Sequence, residues 1–102
     1  MKLGFLLSTS PHHDNTNILV PLIETAKAQG DDVYLYLLDH GVACLHDPRY
    51  RALIDQGVVV YACTQGAVKH TVEVSDERVV ACGLVMLADL MRACDRFVSF
   101  SD

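Results

Sequence analysis

Val58-Val59-Val60-Tyr61-Ala62 is an unbroken apolar run, opened by Gly57 and closed by Cys63-Thr64-Gln65-Gly66. A short run of β-branched and aromatic residues with no polar alternate reads as a strand covered on both faces. Parallel sheets layered between helices are where such strands occur, so this run predicts a central strand of an α/β domain. The rest of the chain alternates accordingly. Leu3-Gly4-Phe5-Leu6-Leu7 reads as a first strand that ends at Ser8-Thr9-Ser10-Pro11. Ile18, Leu22 and Ala26 recur at helical spacing before the stop signal Gly30. Pro21 falls inside that pattern, which predicts a helix that begins near Asn17 or bends at the proline. Asp32 to Leu38 reads as a second strand, and Asp39-His40-Gly41 as a turn. Pro48 to Gln56 has proline at a helix start, Leu53 and Ile54 for a buried side, and Gly57 as its stop. Ala67 to Glu77 is ambiguous, because Thr71, Val72 and Val74 favour extended structure where a helix would suit the order. Gly83 to Cys94 reads as a helix with Leu84, Leu87, Leu90 and Met91 on one face, and Asp95 to Phe100 as a last strand. The expected architecture is a small three-layer α/β/α sandwich with a mostly parallel sheet, one domain over residues 1–102. Two open sheet edges in so small a domain favour an oligomer.

Bulk properties narrow the function. About half of the 102 residues are hydrophobic, which excludes a disordered chain. The formal charge is −5, and the basic residues are scattered, so direct nucleic-acid binding is not expected. The longest apolar stretch, Val79 to Ala88, is far shorter than the roughly 20 residues of a membrane span. Met1-Lys2-Leu3-Gly4 runs straight into a strand with no signal-peptide pattern, so a cytoplasmic location is expected. The four cysteines, at 44, 63, 82 and 94, are then expected as free thiols.

Cys63 is the leading candidate for chemistry. It stands at the C-terminal end of a predicted central strand, the edge at which α/β sheets bind ligands. A helix beginning at Thr64 would favour its thiolate by ~0.3–1 kcal/mol. Lys69 or His70, if either leaned back toward the sulfur, would add a second favourable charge. The alternative is an inert cysteine packed beneath the following helix. His40, Cys44 and His46 have a spacing that could place three metal ligands in one loop, with only Asp39 or Asp47 near as a fourth. The preferred reading is that His40 and His46 rim the Cys63 site and bind no metal. His12-His13-Asp14 could meet a phosphate or metal, although Asp14 or Asn17 as a helix cap explains it equally well. Cys82 is a packing residue or a resolving thiol for Cys63, and Cys94 a core residue.

Three segments resemble the sulfur-relay family that includes DsrE and TusD. They are Gln56 to Cys63, Gly83-Leu84-Val85-Met86-Leu87-Ala88-Asp89, and Cys94-Asp95-Arg96-Phe97-Val98-Ser99-Phe100. The turn at Asp39-His40-Gly41-Val42 is similar to the family's loop after its second strand. The resemblance implies a DsrE-like fold and a sulfur carrier whose strand-end cysteine, here Cys63, takes a persulfide sulfur from a donor protein and passes it to an acceptor. It implies no metal or organic cofactor, donor and acceptor proteins as partners, and a trimer or hexamer of like or related subunits. TusD-like members usually follow the cysteine with small residues and then Arg-Arg-Gly, whereas this chain has Thr64-Gln65-Gly66-Ala67-Val68-Lys69-His70-Thr71. That departure sustains a rival reading, a non-catalytic subunit or small-molecule- or partner-binding module on the same fold.

Overall fold

The computed structural model describes residues 1–102. Strand β1 (Lys2–Leu7) leads to helix α1 (Asn15–Ala28) and strand β2 (Asp32–Leu37). A 3-10 segment (Asp39–His46) runs into α2 (Pro48–Asp55), followed by β3 (Val59–Cys63), α3 (Thr64–Lys69), β4 (Val80–Cys82), α4 (Leu84–Ala93) and β5 (Arg96–Phe100). The five strands form one sheet in the order β4-β3-β2-β1-β5, and every neighbouring pair is parallel.

The direction of each crossover sets the layers. From β1 to β4 the chain steps one way across the sheet, so right-handed connections stack α1, α2 and α3 on one face. The step from β4 back across to β5 puts α4 on the other. Side chains alternate between the two faces. Phe5, Leu7, Val33, Leu35, Leu37, Val60 and Ala62 form the three-helix face and are all buried. They pack on Leu19 and Ile23 of α1 and Leu53 of α2, one continuous apolar core. Tyr34, Tyr36, Tyr61, Cys63 and Cys82 point to the α4 side, where cover is thinner. Tyr34 and Tyr61 there are only half-buried, and Val59 is exposed.

Four expectations are corrected. The strand β4 was not foreseen; its stretch lies just before the helix expected from Gly83. It is three residues long and pairs on one side only, too short to show a periodic pattern. Helix α1 begins at Asn15, not near Asn17, and carries Pro21 in its interior. Pro21 is on the solvent side, where water can reach the carbonyl its ring leaves unbonded. The Thr25 hydroxyl donates to the Pro21 carbonyl oxygen at 2.9 Å. The buried stripe of α1 is Thr16, Leu19, Val20, Ile23 and Ala26, whereas Ile18 and Leu22 are exposed. In α4 only Leu90 is buried; Leu87 is half-buried, and Leu84 and Met91 face outward. The ambiguous stretch resolves into the short α3 and then an irregular segment that begins at Thr71, whose φ is 55°.

Candidate functional site

All five strands run the same way, so their C-terminal ends gather on one edge of the sheet. Ser8 follows β1, Asp39 and His40 follow β2, Cys63 ends β3 and Cys82 ends β4. Ligands of open α/β sheets bind along this edge.

Cys63 is the residue that turns β3 into α3. Its backbone is still extended, with φ −66° and ψ 121°, and it is the N-cap of the helix. The strand run Val59 to Ala62 and the helix start at Thr64 therefore fix the thiol between them. At 5 % exposure it is buried in the single chain. It does not line the cavities around His46, Val68, Met86, Gln65 or His13.

Its nearest chemical neighbours are Tyr36 and Cys82. Cys63 and Cys82 are paired residues of adjacent parallel strands. Tyr36, on β2, lies on the same face, with its ring stacked on Tyr61 at 6.3 Å between centroids. The Tyr36 hydroxyl donates to the Gly83 carbonyl oxygen at 3.0 Å. Burial first, and then the two neighbouring thiols, push the Tyr36 phenol well above its ordinary pKa, so it stays a neutral O–H donor. Burial also raises the Cys82 thiol; the Tyr36 hydroxyl pulls it down, and Cys63 raises it further. The Thr64 hydroxyl reaches the Cys82 carbonyl at 3.4 Å and ties the start of α3 to β4.

Lys69 and His70 converge on a carboxylate. The Lys69 Nζ is 3.2 Å, and the His70 Nε2 2.6 Å, from Asp39 Oδ1. The hydrogen bond from His70 first, and then that from Lys69, hold the Asp39 carboxyl below the usual carboxylate range. The His40 ring lies 4.4 Å from that of His70, so His40, His70 and Asp39 form one cluster at the end of α3. No hydrogen bond or ion pair joins Lys69 or His70 to Cys63. His46 is elsewhere, in a cavity with Arg51, Glu73 and Asp76.

The spacing of His40, Cys44 and His46 does not bring these three together. Cys44 is fully buried, with its Sγ 3.9 Å from the Thr9 carbonyl oxygen, and burial pushes its thiol up to about 12. The ligand-type atoms that do approach one another belong to Asp39, His40 and His70. His13 is an internal cap: its Nδ1 accepts from the Asn15 backbone N–H at 3.0 Å, while Asp14 makes no side-chain cap. Cys94, expected in the core, is half-buried beside Phe97 at its margin. Tyr36 was missed as a site residue, and Asp39, read only as a possible fourth metal ligand, is the partner of Lys69 and His70. The signal for Tyr36 was its place in β2, three residues before the turn at Asp39 and on the face that Cys63 shares.

Comparisons with known proteins bear on this arrangement. The chain matches the DsrE/DsrF-like family over residues 1–100, and it belongs to that family. Membership supports a function of the sulfur-relay type in general terms. Among solved structures, the chain is similar to the YchN protein of E. coli. The two share 17 % identity and a TM-score of 0.84, with 98 % of this chain and 99 % of that one covered. It also resembles a conserved protein of unknown function, BT1422, from Bacteroides thetaiotaomicron. There the identity is 14 % and the TM-score 0.73, covering 97 % of this chain and 94 % of the other. Both likenesses establish the fold. No curated protein matches the chain. No helix is long and apolar enough to cross a membrane.

Proposed function

We propose that the protein is a sulfur carrier in which Cys63 holds a persulfide sulfur between a donor and an acceptor protein. The observation that carries this reading is the position of Cys63. It is the last residue of β3 and the N-cap of α3, on the edge where this fold places its chemistry, in a chain of the DsrE/DsrF-like family. The Cys63 thiolate attacks the outer sulfur of a donor persulfide, the donor thiolate leaves, and an acceptor thiolate later removes the same sulfur from Cys63. Neither step requires a metal or organic cofactor. Tyr36 lies beside the sulfur atoms with its hydroxyl anchored on the Gly83 carbonyl, and Asp39, His40, Lys69 and His70 form a polar rim that a partner protein meets.

The partners are donor and acceptor proteins, and the carrier works as an oligomer of like or related subunits. Support for association comes from α4, which exposes Leu84, Val85 and Met91 with 57, 79 and 51 % of their surface free. An apolar helix face of that extent is covered in most proteins. The work of such a carrier is done in the cytoplasm, among reduced thiols.

One observation favours the rival reading of a non-catalytic subunit or binding module: Cys63 is buried. Replacing Cys63 with Ser separates the two. Transfer of sulfane sulfur from a persulfide donor to a dithiol acceptor should fall to the level without protein in Cys63→Ser. A variant that transfers as well as the wild type would make Cys63 a bystander.

A further inference from the structure

We propose that Cys82 is the resolving thiol of Cys63, discharging its bound sulfur within the chain as hydrosulfide and closing a Cys63–Cys82 disulfide. The inference rests on the carrier reading of Cys63 and adds a second reacting group to it.

The sheet register carries the argument. Cys63 and Cys82 are direct partners across β3 and β4. Paired residues on neighbouring strands have Cα atoms roughly 4.8 Å apart, inside the roughly 4.4–6.8 Å window that disulfides span. Partners in register also point to the same face, so both thiols stand on the α4 side of the sheet. Three further contacts hold them there. The Tyr36 hydroxyl adjoins both thiols and is anchored on the Gly83 carbonyl. The Thr64 hydroxyl, one residue beyond Cys63, reaches the carbonyl of Cys82. No other cysteine pairs with Cys63: Cys44 is enclosed against Thr9, and Cys94 precedes β5, the opposite edge strand. Burial also differs. Cys63 is buried, whereas Cys82 is half-buried and already in place beside it.

The chemistry balances without an outside oxidant. The Cys82 thiolate attacks Cys63 Sγ, the inner sulfur of the persulfide. The Sγ–Sγ bond between the two cysteines forms as the bond from Cys63 Sγ to the terminal sulfur breaks. The electron pair leaves with the terminal sulfur, which takes up a proton as hydrosulfide. The sulfane sulfur is thereby reduced to sulfide and the two thiols are oxidised to a disulfide. A dithiol reductant then restores both thiols.

The test loads reduced wild-type protein and Cys82→Ser with inorganic polysulfide, removes the excess, and follows sulfide release and non-reduced tryptic peptides. Cys63 falls on peptide 52–69 and Cys82 on 79–92, so a link between them is read directly. Wild type should release its sulfur as sulfide and join the two peptides. Cys82→Ser should keep the sulfur on 52–69 at least about ten times longer. Cys82→Ala provides a second variant should the serine disturb β4. Phenylarsine oxide, which bridges close dithiols, should protect both peptides of unmutated protein from alkylation together. A persulfide that lasts equally long in wild type and both variants, or failure of the arsenical to protect the pair, overturns the resolving role and leaves the carrier reading standing. If Cys63 never takes up sulfur in any of the proteins, the carrier reading fails and the resolving role with it.

Discussion

Asp39 joins the backbone of the strand edge to its charges. Its φ is 52°, the left-handed region, and its carboxylate receives both Lys69 and His70 from the far end of α3. The depressed carboxyl pKa has a definite sign for stability: the contribution is complete above the ordinary aspartate value of about 3.9 and is lost as pH falls through the lower folded value. Asn accepts the left-handed conformation, so Asp39→Asn removes the charge and leaves the turn. The variant should unfold at a lower urea concentration than wild type at neutral pH, and the two curves should converge in acid. A gap that persists unchanged at low pH would assign the loss to the turn and not to the ion pairs. The position of Cys63 was legible from its sequence neighbours alone, because an apolar run fixes a strand and its last residue fixes an edge. The partners of Lys69 and His70 were not, since Asp39 lies about thirty residues away in sequence and meets them only when β2 and β3 pair.

Elements with a strong apolar pattern were readable, and elements held by tertiary contact were not. β1, β2, β3, α2 and β5 follow the expected runs closely; the first four place residues in the buried core, and β5 packs Phe97 and Phe100 against its margin. β4 has only Val80, Ala81 and Cys82, and its pairing with β3 supplies what its sequence lacks. In α1 the spacing of Ile18, Leu22 and Ala26 named a helix correctly and its buried side wrongly, because Leu19 and Ile23 share the next stripe and win the core. The 3-10 segment after β2 depends on a close approach no periodicity reveals. A Cβ at Gly41 would run into the Leu7 carbonyl oxygen at the end of β1. Gly41→Ala should therefore cost about 1–3 kcal/mol of stability in urea unfolding, by forcing the segment off β1. Wild-type stability in that variant would mean the segment shifts freely, and that the end of β1 does not set its place.

The molecule as a whole is unevenly layered, with three helices on one face of the sheet and α4 alone on the other. The sparse side is also the side of Tyr36, Cys63 and Cys82. Oligomerisation through α4 would thus cover the apolar helix and draw a second subunit close to the thiols. Val85, the most exposed apolar residue of α4, has no core role to lose. Val85→Glu should keep the fold, as read by circular dichroism, and shift the protein to monomer in light scattering. An unchanged mass would place the subunit contact elsewhere. The central claim remains the chemistry of Cys63. The most direct measurement treats native protein briefly with a persulfide donor, quenches with alkylating agent, and maps the added sulfur by peptide mass spectrometry. Each of the four cysteines falls on its own tryptic peptide. Sulfur appearing first on peptide 52–69, which holds Cys63, is the result expected of a carrier; sulfur confined to the Cys82 or Cys94 peptides, with 52–69 unmodified, would contradict it.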